Sequence, residues 1–281
     1  MLGTRILTAV VLIPAVLAAL FLLPPKGWAA AMLVVIALGG AEWCKLVSLG
    51  GRMRNAFLSV LVLGGMTLFN APFAAFAGGW PAEFVLAVCG VASLFWIFVA
   101  PPWVVLRWPT QGKLAMALVG IVVLLGAWMA IVQMQARSPW LVLAAMAIVW
   151  IADTAAYFAG RAFGKRKLAP LVSPGKSWEG VYGAWIAVAA YAAWLVRYAS
   201  DAGFRFDVTP ATIAVWIVFA VALASISVIG DLFESLLKRH AGVKDSGALL
   251  PGHGGVLDRT DALLAAMPIA AVAAEYCLRR P

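Results

Sequence analysis

The stretch "LLPGHGGVLDRTD", Leu249–Asp261, runs directly into "ALLAAMPIAAVAAEY", Ala262–Tyr276. A hook rich in glycine and charge therefore stands at the doorstep of a nearly unbroken apolar run. Such a run fits either a buried core or a membrane span, and the rest of the chain decides between them. Of 281 residues, 64% are hydrophobic and 12% charged, where a soluble domain carries roughly 25% charged residues. The mean hydropathy of +0.98 leaves too little polar surface to coat a globule. A helix needs about 20 mainly apolar residues to cross the hydrocarbon core. Backbone groups in lipid must pair internally, so spans are helical. Apolar runs of that order fall at 6–23, 28–43, 56–77, 83–101, 115–134, 139–160, 181–199, 211–232 and 261–277. The chain is thus expected to be an all-α, polytopic integral membrane protein with about nine transmembrane helices.

Charge orients it. With the N-terminus inside and the spans alternating, only Lys26, Arg137, Arg197, Arg205, Arg279 and Arg280 of the 21 Lys and Arg residues fall outside. That is the positive-inside bias, and it makes the long polar loops cytoplasmic. The same bias, with anionic head groups, accounts for the net charge of +9 without nucleic acid as a partner. Trp28, Trp80, Trp103, Trp108, Trp140 and Tyr198 stand near span ends, as interfacial anchors do. "MLGTRILTAVVLIPAVLAALFLL" lacks a small-residue cleavage site and reads as a first retained helix. Cys44, Cys89 and Cys277 lie in or beside apolar runs, without metal-like spacing, and read as packing residues with no disulfide. Only two acidic residues, Glu42 and Glu83, precede residue 151, and the other ten begin at Asp153. We therefore divide the chain into a scaffold, 1–110, and a catalytic region, 111–281, with cytoplasmic loops 161–180 and 233–260.

The acids are the first candidates for chemistry. Asp153 lies inside a span, "VWIADTAAYFAG", where an ionisable residue is costly and marks function by default. In "SISVIGDLFESLLKRH", Asp231, Glu234 and Ser235 share one helix face. Lys238, four residues beyond Glu234, supplies a plain helix-end ion pair, while Asp231 has no such partner in the sequence. Asp261, at the expected start of the last helix, suits an N-cap. Asp258 follows "GHGG", whose glycines let backbone approach a ligand or another segment. Mg²⁺ takes one or two carboxylates plus substrate phosphates, and Asp231 and Asp258 are placed to supply them. Mg²⁺ prefers oxygen, so His253 reads as a hydrogen-bonding residue rather than a ligand.

The loop "GRAFGKRKLAPLVSPGKSWEG" carries five basic residues against one Glu. Its Gly175–Ser177 triplet imitates a Walker A motif. Pro170 stands where that motif needs glycine, however, and a helical membrane protein is expected to offer no preceding strand. A phosphate site of another kind remains. Lys165, Lys167 and Lys176 bring point charges, Ser173 and Ser177 bring donors, and a following helix N-terminus attracts anions. Acids able to hold metal and bases able to hold phosphate thus face one surface, the kit for phosphoryl or nucleotidyl transfer.

"SLLKRHAGVKDSGALLPGHGGVLDRTD", Ser235–Asp261, resembles the signature of the phosphatidate cytidylyltransferase (CDP-diacylglycerol synthase) family. "DTAAYFAGRAFGKRKLAPLVSPGKSWEG" and the opening "TRILTAVVLIP" are similar to the family too. The resemblance implies transfer of CMP from CTP to phosphatidic acid. It implies Mg²⁺ with a second cation such as K⁺, a homodimer, and residence in the inner (cytoplasmic) membrane. Carried over by position, Asp231 and Asp258 would hold the metals. Lys238 and Arg239 would act with them in catalysis. Asp153, Lys167, Ser173, Lys176, Ser177, Lys244, His253, Arg259 and Asp261 would line the substrates. Two rivals fit less well. A secondary transporter would show broken helices in matched halves, and a CDP-alcohol phosphotransferase would need glycine–aspartate motifs that this sequence lacks.

Overall fold

The computed structural model describes residues 2–70, 79–110, 112–199, 209–249, 252 and 254–278. Helices dominate: α1 (Leu2–Leu22), α2 (Pro25–Leu46), α3 (Gly51–Asn70), α4 (Ala82–Leu94), α5 (Ala100–Leu106), α6 (Lys113–Arg137), α7 (Pro139–Phe163), α8 (Trp178–Ala199), α9 (Pro210–His240) and α10 (Leu257–Leu278). A π-helical turn, Phe95–Val99, joins α4 to α5 in one continuous rod. Proline opens α2, α7 and α9, where its fixed φ helps and its missing N–H costs nothing. Side chains cap two of these starts: Ser138 Oγ accepts from Trp140 N, and Thr209 Oγ1 accepts from Thr212 N.

Each of the nine expected runs coincides with a helix. Among the described residues, seven of these helices are long and apolar enough to cross a membrane, where about nine were expected. Val10–Leu22 forms a shorter apolar helix. Helix α3, which holds the third run, begins earlier, with Arg52 and Arg54 in its first turn, and the run's expected end at 71–77 lies outside the described residues.

Long-range hydrogen bonds show that α2 runs opposite to α6 and α10. At one end, Trp43 Nε1 donates to Met116 O (3.0 Å) and Leu257 N donates to Glu42 Oε2 (2.9 Å), joining the end of α2 to the starts of α6 and α10. At the other end, Arg137 grips Glu275 at 3.0 and 3.1 Å, and Gln133 Oε1 accepts from Trp80 N at 2.8 Å. The first of these ends collects the two polar loops.

Four local expectations need correction. The basic loop is not only a turn: β1 (Lys167–Ala169) and β2 (Ser173–Ser177) pair as a small antiparallel hairpin. A strand, β1, thus does precede the Gly175–Ser177 triplet, against expectation, but the triplet lies within β2 rather than in a loop and Pro170 still stands where glycine is needed, so it makes no P-loop. Helix α9 does not stop near 232 but runs 31 residues to His240. At 1.5 Å per residue that is roughly 46 Å, longer than the hydrocarbon core is thick. Trp28 and Trp80 are fully buried in the helix bundle, not interfacial anchors, whereas Trp108, Trp140 and Tyr198 stay exposed. Cys44 and Cys89 pack inside, but Cys277 is exposed.

Close helix approach rests on small residues. Gly183 of α8 abuts Ala159 of α7, and Gly230 of α9 abuts Asp261 O and Ala265 of α10. Without a hydrophobic drive between helices in lipid, such contacts supply the packing. A methyl at Gly230 would sit 2.6 Å from Asp261 O and 2.8 Å from Ala265 Cβ. We expect Gly230→Ala to force α9 and α10 apart at about 1–3 kcal/mol, lowering the melting transition in detergent. Gly90→Ala, whose added methyl meets nothing within 4 Å, should leave that transition in place.

Candidate active site

The polar loops meet the helix ends in a cluster of paired charges. On α9 the spacing of three and four residues aligns Asp231, Glu234, Ser235 and Lys238. Ser235 Oγ lies 3.3 Å from Asp231 Oδ1, and Lys238 Nζ lies 3.0 Å from Glu234 Oε2. The partner of Asp231 is Lys176 of β2, with Nζ 2.6 Å from Oδ2. Sequence spacing could not show this pair, because 55 residues and a helix hairpin separate its members. Asp153 of α7 is exposed on its own helix and lies within electrostatic range of both Lys176 and Asp231.

The hairpin is held in place from both sides. Glu179 accepts from Lys165 N (3.1 Å) and Arg166 N (3.2 Å). Ser177 Oγ accepts from Gly180 N at 3.2 Å and so caps α8. Arg239 Nε donates to Val172 O at 3.2 Å, tying α9 to the hairpin turn. Ser177, expected to line the substrates, and Arg239, expected to act in catalysis, thus also anchor the loop.

Asp258 sits in the first turn of α10 with its side chain nearly buried. Lys238 Nζ meets its Oδ1 at 2.7 Å. Its Oδ2 accepts from Gly255 N and Ser246 N, each at 2.8 Å, and lies 2.9 Å from Ser246 Oγ. Lys238 therefore bridges two carboxylates, Glu234 and Asp258, and joins α9 to α10. Gly254 has φ +83°, and a Cβ there would press on the Asp258 carboxylate. The glycines of the hook thus let the backbone fold round a carboxylate.

Asp261 is not an N-cap. The helix has already begun at Leu257, and its first N–H groups go to Glu42 instead: Val256 N to Oε1 (3.1 Å) and Leu257 N to Oε2 (2.9 Å). Asp261 faces inward, where its carboxyl contacts that of Glu234. Glu42 is the site residue that reading the sequence missed. One signal pointed to it: it is an acid within an apolar run, the same feature that singled out Asp153.

The structure therefore brings together Asp153, Lys176, Asp231, Lys238, Asp258 and Asp261. Ser173 is half-buried in β2, while Lys167, Lys244 and Arg259 are exposed around this core. His253 lies outside the described residues.

Among the described residues, three carboxylates (Asp231, Glu234 and Asp258) pair directly with two ammonium groups, those of Lys176 and Lys238. Among the described residues no three His, Cys, Asp or Glu side chains converge as a ready cage. Mg²⁺ needs none, since phosphates and waters complete its shell. Asp231 fits best: it is partly open, and one of its oxygens already holds a cation, the Lys176 ammonium. Asp258 fits less well: Oδ2 is held by Ser246 and Gly255, and Oδ1 could turn to a metal only by giving up Lys238 at 2.7 Å.

Known proteins resemble the chain along most of its length. The phosphatidate cytidylyltransferase of Pseudomonas aeruginosa is 37% identical over 277 residues, 96% of this chain and 95% of that protein. That of Haemophilus influenzae is 38% identical over 285 residues, covering 95% of this chain and 96% of that protein. That of Thermotoga maritima is 43% identical over 120 residues, 43% of each chain. The family model described as "Cytidylyltransferase family" matches residues 3–277, and the chain belongs to that family.

Proposed function

We propose that the protein is a phosphatidate cytidylyltransferase of the bacterial inner membrane. It would join CTP and phosphatidic acid to give CDP-diacylglycerol and pyrophosphate. The observation that carries this reading is the clustering of carboxylates and lysines where polar loops meet membrane helices. A water-soluble nucleotide and a membrane-bound phosphate can meet only at such a boundary.

The chemistry asks little of a base. The phosphate monoester of phosphatidic acid is already anionic at neutral pH. One of its oxygens attacks the α-phosphorus of CTP in line, forming the new P–O–P link, and the bond to the β-phosphate breaks to release pyrophosphate. The two substrates repel each other, so catalysis is positioning plus charge neutralisation. Bound Mg²⁺, with a second cation such as K⁺, would supply charge neutralisation beside Asp231 and Asp258. Lys176 exchanges Asp231 for a phosphate as substrate enters. Lys238, aimed by Glu234 and Asp258, meets the developing charge. Arg239, Lys167, Lys244, Arg259, Ser173, Ser177 and His253 offer further donors around the mouth. Asp153 orients Lys176, and Asp261 supports Glu234. Residues 1–110 serve as scaffold and 111–281 carry the chemistry, in a homodimer.

The test is transfer of label from α-phosphate-labelled CTP into a lipid-extractable product, with the purified protein in detergent and phosphatidic acid present. Labelling should require phosphatidic acid, vanish with EDTA and return with Mg²⁺. No labelling by folded protein across several divalent ions would overturn the reading.

Two substitutions probe the site. Asp258→Asn frees Lys238 from a charge partner and should lower turnover by about 100-fold or more, with the melting transition recording that the protein still folds. Lys176→Met should raise KM for CTP and lower kcat/KM by roughly 10- to 100-fold, as expected when a phosphate gives up one charge-assisted hydrogen bond. Unchanged kinetics in either variant would remove that residue from the mechanism.

A further inference from the structure

Glu42 lies at the end of α2, in the scaffold segment, yet the turn that carries Asp258 is built around it. Its side chain is buried at 3% exposure. Val256 N and Leu257 N donate to its two oxygens, and Ser246 Oγ lies 3.1 Å from Oε2. A Cβ at Gly247 would collide with this carboxylate, and one at Gly255 would collide with both of its oxygens and with Ser246 Oγ. The glycines on both sides of the turn thus leave room for one acid, supplied by a different helix.

We propose that Glu42 is a positioning residue for the transfer reaction, holding Asp258, and through it Lys238, in register with the rest of the site. The inference rests on the reaction proposed above. The path is short. Ser246 Oγ stands between the two acids, 3.1 Å from Glu42 and 2.9 Å from Asp258, and has one hydrogen to donate. Glu42 fixes where Ser246 and the first turn of α10 lie. Ser246 N, Ser246 Oγ and Gly255 N then fix Asp258, and Asp258 fixes Lys238 at 2.7 Å. The negative charge also matters. The positive end of α10 points at it, and a carboxylate accepts from two adjacent N–H groups. Glutamine would turn an amide NH₂ toward one of them.

A buried acid that serves stability alone provides the comparison. Glu275, at the opposite end of the bundle and 2% exposed, accepts from both Arg137 Nε and Nη2. Glu275→Gln should lower the melting transition and leave kcat unchanged.

The experiment uses the full chain in detergent micelles with phosphatidic acid, Mg²⁺ and labelled CTP. It compares wild type with Glu42→Gln, Ser246→Ala, the double variant and Glu275→Gln, each well below its own melting transition. Glu42→Gln should lower kcat by about 10- to 100-fold, the scale of a small misplacement, with KM for CTP little changed. Ser246→Ala should lower it less, and the double variant should be no worse than Glu42→Gln, since both act through one carboxylate. Hydrogen–deuterium exchange across 245–260 should rise in Glu42→Gln while exchange in α6 and α7 stays as in wild type.

Wild-type kcat in Glu42→Gln, a double variant whose loss is the product of the single losses, or unchanged exchange across the turn would each overturn the proposal. If Glu42→Gln does not fold, Ser246→Ala decides: full kcat with wild-type exchange overturns it. A wild type that forms no labelled lipid would sink the transfer reading, and the exchange measurement would still decide whether Glu42 holds the turn.

Discussion

Lys238 lies between Glu234 and Asp258, and the site depends on that arrangement. An ionic group taken out of water loses several kcal/mol of hydration and stays charged only if partners replace the water. Here the partners come from different elements. Glu234 rides on α9 with Lys238, while Asp258 opens α10. The loop between these helices must therefore return the chain so that the first turn of α10 faces the last turns of α9. Gly230 allows the approach on one side, and the Gly254–Gly255 corner allows it on the other. Removing one member of the set would strand a buried charge, so the cluster constrains the backbone as strongly as the apolar packing below it.

The same logic explains why the hairpin exists in a helical protein. Asp231 needs a cation, and none stands one helical turn away on α9. Lys176 arrives from β2 instead, on a strand pair that pins its position more tightly than a free loop. The hairpin is fastened by Glu179 at its base and Arg239 at its turn. One of its basic residues, Lys176, which the positive-inside bias alone would justify, is thereby turned toward an acid. Topology and chemistry use the same charges.

Much of this was legible in the sequence, for definite reasons. Apolar runs near 20 residues have one stable solution in lipid, so the helices, with α2 running opposite to α6 and α10, followed from length and charge. Asp153 and Asp231 stood out because acids are scarce in apolar runs, and Asp258 because it follows the glycines of the hook. What the sequence left open were pairings between distant elements. Nothing local connects Lys176 to Asp231, or Glu42 to Val256 and Leu257. Asp261 illustrates the limit. The capping rule placed a carboxylate at the start of the last helix, and a carboxylate does cap it, but Glu42 comes from α2 and Asp261 is displaced inward toward Glu234. The helix also began four residues earlier than the apolar run, because Leu257–Thr260 are helical without being uniformly apolar.

Glu42 and Glu275 show how one residue type answers two demands. Both are buried acids on spans, and both accept hydrogen bonds on their two oxygens from other segments. Glu275 draws its donors from the Arg137 guanidinium and the Gln133 amide, and ties α10 to α6 at the end away from the polar loops. Glu42 draws them from backbone N–H groups at the start of α10, with Ser246 beside it. An arginine fork can move with its side chain, whereas backbone donors cannot move without the helix they belong to. A carboxylate bound to a helix terminus therefore sets the position of everything in that first turn, and in this protein that turn carries Asp258.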